Sequence, residues 1–90
     1  MTTLKLPKRL DLTAAKPLAR DLGAIEGGVT LDAGEVEHLG GLCLQILLAS
    51  ARSRAQAGYG TALAACSDAF DGAIAQFGLT RGDLESEAAA

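Results

Sequence analysis

The chain has no tryptophan, one tyrosine and two phenylalanines. Single-stranded nucleic acid is held by stacking bases on aromatic rings, so a binding surface of that kind is not expected. A concentration of positive charge is missing as well. Eight Lys and Arg stand against eleven Asp and Glu, giving a net charge of −3, and the cations are scattered, whereas a phosphate backbone needs clustered cations to release its counterions. No nucleic-acid partner is expected. Cysteine is limited to Cys43 and Cys66, in apolar surroundings and without a Cys-x-x-Cys arrangement. They read as small buried hydrophobes, not as a disulfide or redox pair. His38 is the only histidine, and no His, Cys and carboxylate set has ligand spacing around it. Neither metal nor other cofactor is expected. The longest apolar run, Leu42 to Ala51, is broken by Gln45 and Ser50 and is about half of the roughly 20 residues that a membrane span needs. It reads as a buried helix, with no membrane insertion. The opening Met1 to Arg9 lacks the apolar stretch and cleavage site of a secretory signal, so the expected location is cytoplasmic.

What is present is an aliphatic, foldable chain. Hydrophobic residues make up 49% and charged residues 21%, far from the mixture that keeps chains disordered, and the length suits a single domain over residues 1–90. Leu4-Lys5-Leu6 alternates and stops at Pro7, as in a short edge strand, and a second extended piece reaches Leu10. Asp11 and Thr13 are both capable of capping a helix that carries Ala14, Ala15, Leu18 and Leu22 and stops at Gly23. Pro17 interrupts that pattern, and a start near Lys16 would tolerate it better. Val29 to Ala33 alternates from a β-branched start, the clearest strand signal in the chain. A linker from Glu35 to Leu39 precedes Gly40-Gly41 and a long helix, in which Arg52, Arg54 and Gly58 complement the C-terminal dipole and cap. Leu42, Ile46 and Ala49 make one apolar stripe, and Cys43, Leu47 and Ser50 with Leu44 and Leu48 widen it beyond one sheet face, enough to meet a second helix or a partner. Tyr59 to Ala65 reads as a weaker strand. Ser67 or Asp68 caps a last amphipathic helix of Phe70, Ile74 and Phe77, closed by Gly78. Residues 79–90 read as a flexible or partly helical tail, with a helical turn placed at Leu84 if there is one.

In that order the pieces resemble the STAS domain family of sulfate-transporter cytoplasmic regions and anti-sigma-factor antagonists. Arg9-Leu10-Asp11-Leu12-Thr13-Ala14-Ala15 is similar to its turn into the first helix, and Val29-Thr30-Leu31-Asp32-Ala33 to its central strand. His38-Leu39-Gly40-Gly41-Leu42 is similar to its Asp-Ser-x-Gly-Leu loop, and Cys66-Ser67-Asp68-Ala69-Phe70 through Phe77-Gly78-Leu79 to its last shared helix. The resemblance spans Leu4 to Leu79 and implies an α/β fold: a mixed central sheet of about four strands covered by about three helices. It describes a short version, with the first strand clipped and the final strand and helix of longer relatives missing after Leu79. It also implies a non-enzymatic signalling role. In phosphorylated relatives a Ser or Thr at the start of the long helix accepts phosphate; that position is Leu39 here, which has no hydroxyl, and the preceding Asp is His38.

The resemblance implies a protein partner: a signalling kinase of a chemotaxis-type array, an anti-sigma factor, or the ATPase subunit of a lipid transporter. A homodimer is compatible with it too. The expected partner-binding residues are Asp11, Thr13, Glu35, Glu37, His38, Leu39, Gly40 and Gly41. Each has a plainer reading. Asp11 and Thr13 are helix caps, His38 is a loop histidine instead of a pH-sensitive contact, and Leu39 is either an exposed contact or a buried staple before the helix. Gly40-Gly41 forms an anion nest or simply a tight start to the helix. Asp32, Glu35 and Glu37 make a solvated acidic rim, not an acid–base pair.

Overall fold

The computed structural model describes residues 2–85. Three strands, β1 (Thr2–Lys5), β3 (Val29–Ala33) and β5 (Thr61–Cys66), form a parallel sheet in the order β1-β3-β5, and two shorter strands, β2 (Arg9–Leu10) and β4 (His38–Leu39), form a separate parallel pair. Four helices complete the described residues: α1 (Leu12–Ala24), α2 (Gly41–Gln56), α3 (Asp68–Gln76) and α4 (Arg81–Leu84). The α/β class and the edge position of β1 agree with the sequence. The mixed four-stranded sheet does not: both sheets are parallel, and the first two strands pair with different partners, β1 with β3 and β2 with β4.

Crossovers between parallel strands are right-handed, so two successive steps in one direction, from β1 to β3 to β5, place α1 and α2 on one face of the sheet. The two helices pack against each other there. In β3, Val29, Leu31 and Ala33 are buried beneath them while Thr30 and Asp32 stay half-buried, the period-2 pattern of a strand. The core is aliphatic apart from Phe70 and Cys43, closed by Leu6, Leu10, Leu18, Leu22, Leu44 and Leu47.

α1 begins at Leu12, four residues earlier than the start that would spare it from Pro17. An internal proline costs about 3 kcal/mol. Burial of Leu18 and Leu22 offsets it, at about 1.5–3 kcal/mol each. The helix also runs through Gly23 to Ala24. α2 and α3 each end on a glycine with positive φ, Gly58 at +88° and Gly78 at +75°. The Tyr59 N–H reaches the Arg54 carbonyl and the Leu79 N–H that of Ile74, the left-handed cap that glycine permits. α1 has no such glycine, and its last turn is closed by Arg54.

Beyond Leu79 the chain is ordered as far as it is described. Thr80 and Asp83 form a capping box, Arg81 makes a two-point bond to Asp71 that holds the Asp71 carboxyl below its usual range, and Leu84 is fully buried. Of the two readings of residues 79–90, the partly helical one fits as far as Glu85, with the helical turn ending at Leu84 and not beginning there; residues 86–90 lie outside the described residues.

Candidate protein-interaction site

β2 and β4 are where the expected loop acquires structure. Glu35 to Leu39 reads as a linker, but Arg9 pairs with His38 and Leu10 with Leu39. The Glu37 and His38 N–H groups both donate to the Lys8 carbonyl, at 2.7 and 3.1 Å, and the Gly40 N–H donates to the Leu10 carbonyl at 2.8 Å. Pairing turns Leu10 and Leu39 inward and Arg9 and His38 outward. Leu39 is 5% exposed, so it is a core residue. Its expected role as a partner contact is corrected: burial of Leu10 and Leu39 holds this small pair of strands in register.

The pairing brings the starts of α1 and α2 together. Asp11 caps α1, its Oδ1 accepting from the Thr13 hydroxyl at 2.6 Å, the Thr13 N–H at 3.1 Å and the Ala14 N–H at 3.3 Å. The Thr13 hydroxyl bond, foremost, holds the Asp11 carboxyl below its usual range; the two N–H groups and Arg9, 3.8 Å away, add to this, and desolvation opposes it. Across the seam, the Cys43 thiol donates to the Asp11 carbonyl at 3.3 Å. Burial pushes that thiol up, as suits a small buried hydrophobe with a weak donor.

Gly40 is there for space, whereas a Cβ at Gly41 would make only ordinary contact. A Cβ on Gly40 would lie 3.2 Å from the Leu10 carbonyl oxygen and 3.7 Å from His38 Nε2, and one on Gly41 3.4 Å from the Phe77 ring. The tight-start reading fits these distances. The acidic trio separates: Asp32 accepts from the Gly34 N–H at 3.0 Å, Glu35 pairs with Lys5 at 2.6 Å, and the Glu37 side chain is exposed. The structure therefore brings Asp11, Thr13, His38, Gly40 and Gly41 to one pole, with Glu37 just ahead of β4 and Glu35 tied to β1.

Of the apolar residues at this pole, Leu42 belongs to the stripe expected to meet a helix or a partner, whereas Leu12 and Phe77 were not foreseen as contacts. Leu12 is 77% exposed, Leu42 46% and Phe77 52%. Leu12 follows the α1 cap, Leu42 opens α2, and Phe77 ends α3 against Gly41. Part of the signal was in the sequence. Residues seven apart share a helix flank, and Leu12 with Ala19, like Leu42 with Ala49, forms such an exposed pair beside the buried stripe. Phe77 continues the Phe70 and Ile74 spacing, but its helix stops at Gln76, short of anything to cover it.

Among the described residues no helix is long and apolar enough to cross a membrane. Comparison with protein-family models, curated proteins and solved structures gives no match for this chain.

Proposed function

We propose that this chain is a non-enzymatic, STAS-like signalling adaptor that binds a protein partner through the pole where α1 and α2 begin. The exposed trio of Leu12, Leu42 and Phe77 carries the reading. Burying a large apolar side chain is worth about 1.5–3 kcal/mol, and apolar side chains gathered at one place on a surface mark an interaction site far better than scattered ones do. The polar residues around them, Asp11, Thr13, Glu37 and His38, supply a rim of the kind that fixes register. The sequence resemblance points to the same loop and helix start, with the contacts moved from Leu39 to its exposed neighbours. It also argues for a partner exchange that does not depend on phosphorylation: the position aligned with the acceptor is an aliphatic side chain, and that side chain is buried.

Affinity capture from the native host, followed by mass spectrometry, tests the proposal. A kinase, receptor-array protein or anti-sigma factor is the expected partner, lost on the double substitution Leu42→Asp, Phe77→Asp while the fold persists. Recovery of a transporter ATPase subunit would replace the signalling role with a structural one. Capture unaffected by the double substitution would move the interface elsewhere.

A further inference from the structure

The two edges of the three-stranded sheet are finished differently. Along β5 the register to β3 shifts between Leu31 and Asp32, α4 packs against the strand, and the Leu63 N–H points to Glu85 Oε2 at 3.5 Å. Breaks in register and covering helices are ordinary means of closing an edge to further pairing. β1, at the other edge, has neither. Its register to β3 runs without a shift, and the N–H groups of Thr2 and Leu6 donate to the Gly28 and Asp32 carbonyls at 3.4 and 2.9 Å. Backbone groups alternate in direction along a strand, so the N–H and C=O of Thr3 and Lys5 point away from the sheet. These groups have no partner among the described residues.

A lysine on an edge ordinarily discourages pairing. Lys5, however, is drawn to Glu35, at 2.6 Å, on the turn that follows β3. On the helix-covered face beside the open edge, Leu4 is half-buried and lines a slot of about 60 Å³ with Ala14, Pro17 and Leu18 of α1.

We propose that β1 pairs antiparallel with β1 of a second copy, about a two-fold axis through Leu4, so that two three-stranded sheets become one of six strands. The outward groups set the register. Thr3 of each copy stands opposite Lys5 of the other as a hydrogen-bonded pair, giving four backbone bonds, and the two Leu4 residues face each other in the non-hydrogen-bonded position, with Cα atoms about 4.5 Å apart. The axis is perpendicular to the sheet, so both helix pairs stay on one face and leucine meets leucine beside the two slots. A second copy fits because the strand is its own complement in this register, with lysine opposite threonine and no like charges facing. A slip of two residues one way would set the two Lys5 residues directly opposite each other. A slip the other way would leave only the Thr3 pair bonded among the described strand residues. Four bonds and one apolar pair make a small interface, so the pairing is reversible, with a dissociation constant on the order of 0.1 mM. The edge is separate from the pole where the protein partner is placed, and each stands or falls alone.

Sedimentation equilibrium of the full chain from about 10 μM to about 2 mM, a range that brackets that constant, should show a reversible dimer. Proline is tolerated at an edge position whose N–H faces solvent. Thr3→Pro should therefore keep the circular dichroism spectrum while weakening the dimer at least about tenfold, because two of the four bonds are lost. Leu4→Cys reports the register: under mild oxidation the two introduced thiols should join, their Cα spacing being within disulfide reach, and Thr2→Cys, two residues from the axis, should cross-link at least about tenfold more slowly. If Thr3→Pro unfolds the chain, the two cysteine variants decide alone. A chain that stays monomeric throughout the range, a dimer unaffected by a folded Thr3→Pro, or equal cross-linking from the two cysteine variants would each overturn the assignment.

Discussion

The two ends of the α1–α2 pair are built on opposite principles. At the amino ends, short backbone bonds and Gly40 bring the helix starts close together, with Leu12 and Leu42 left outside. At the carboxyl ends a groove lies along the helices, and one long side chain, Arg54, reaches three carbonyls, those of Leu22, Ile25 and Gly27. The first end is held by steric fit and local capping, the second by one buried cation. Close packing fixes a surface in one shape, which suits a protein interface.

The largest effect expected from a single change lies at the amino end, under the surface. Leu39→Asp removes a buried leucine and places an unpaired carboxylate in its cavity, a cost of about 5 kcal/mol. A domain of this size has only about 5–15 kcal/mol in total. Urea unfolding followed by circular dichroism should show a domain that is mostly unfolded in buffer. Native stability with lost partner binding would return Leu39 to the interface and undo the contrast between a buried Leu39 and its exposed neighbours.

Next is Arg54→Met, which keeps the apolar stem and deletes the clamp. Three carbonyls then lose their donor, partly replaced by water where the Ile25 to Gly28 turn can open, and the expected loss is about 3 kcal/mol in the same measurement. Arg54→Lys should recover only part of it, since an ammonium lacks the planar fork that reaches carbonyls on both sides. A loss below about 0.5 kcal/mol, the range of ordinary surface substitutions, would mean that the carboxyl end is held by α1–α2 packing and not by Arg54.

These two residues show what was legible in the chain. The elements themselves were: the alternation from Val29 to Ala33 gives β3 its observed bounds, and Ser67 caps α3 as its position suggested. β4 escaped notice because a two-residue strand carries too little periodicity, and only its pairing with Arg9 and Leu10 reveals it. Arg54 was read as a dipole-complementing cation, yet it continues the buried stripe of Leu47 and Ala51 at helical spacing. A charged residue on a buried stripe signals a specific bond. Its acceptors lie some thirty residues upstream (|i−j| of 32, 29 and 27), so local pattern could not name them. Leu12 and Phe77 were hidden for a different reason: exposure at a helix end depends on where neighbouring elements stop.

The same small substitution should act with opposite sign at the two ends. Gly23→Ala adds a methyl in open space to a helix interior and should stabilise by about 0.5–1 kcal/mol. Gly40→Ala sets its methyl 3.2 Å from the Leu10 carbonyl oxygen, the acceptor of the Gly40 N–H itself, and should cost about 1 kcal/mol. Thermal unfolding of both variants measures the difference directly. Equal effects would show that the helix starts are no more tightly fitted than the helix ends.

Acid should separate the two ends most finely. Asp11 holds the first turn of α1, and its carboxyl gives up its proton more readily folded than unfolded, chiefly because the Thr13 hydroxyl bonds to the charged form. A carboxyl of that kind adds stability that is complete above the ordinary carboxylate value of about 4 and is lost as the pH falls through its lower folded value. The Arg54 clamp bonds backbone carbonyls and no carboxylate, so the last turn of α1 should be indifferent over the same range. Amide protection at Thr13 and Ala14 should therefore decline before protection at Ile25 as the pH is lowered from neutrality. Asp11→Asn, which keeps a capping oxygen without the titrating group, should flatten that decline. Loss of protection at Ile25 first would place the acid-sensitive bond at the groove and reverse the assignment of the two ends.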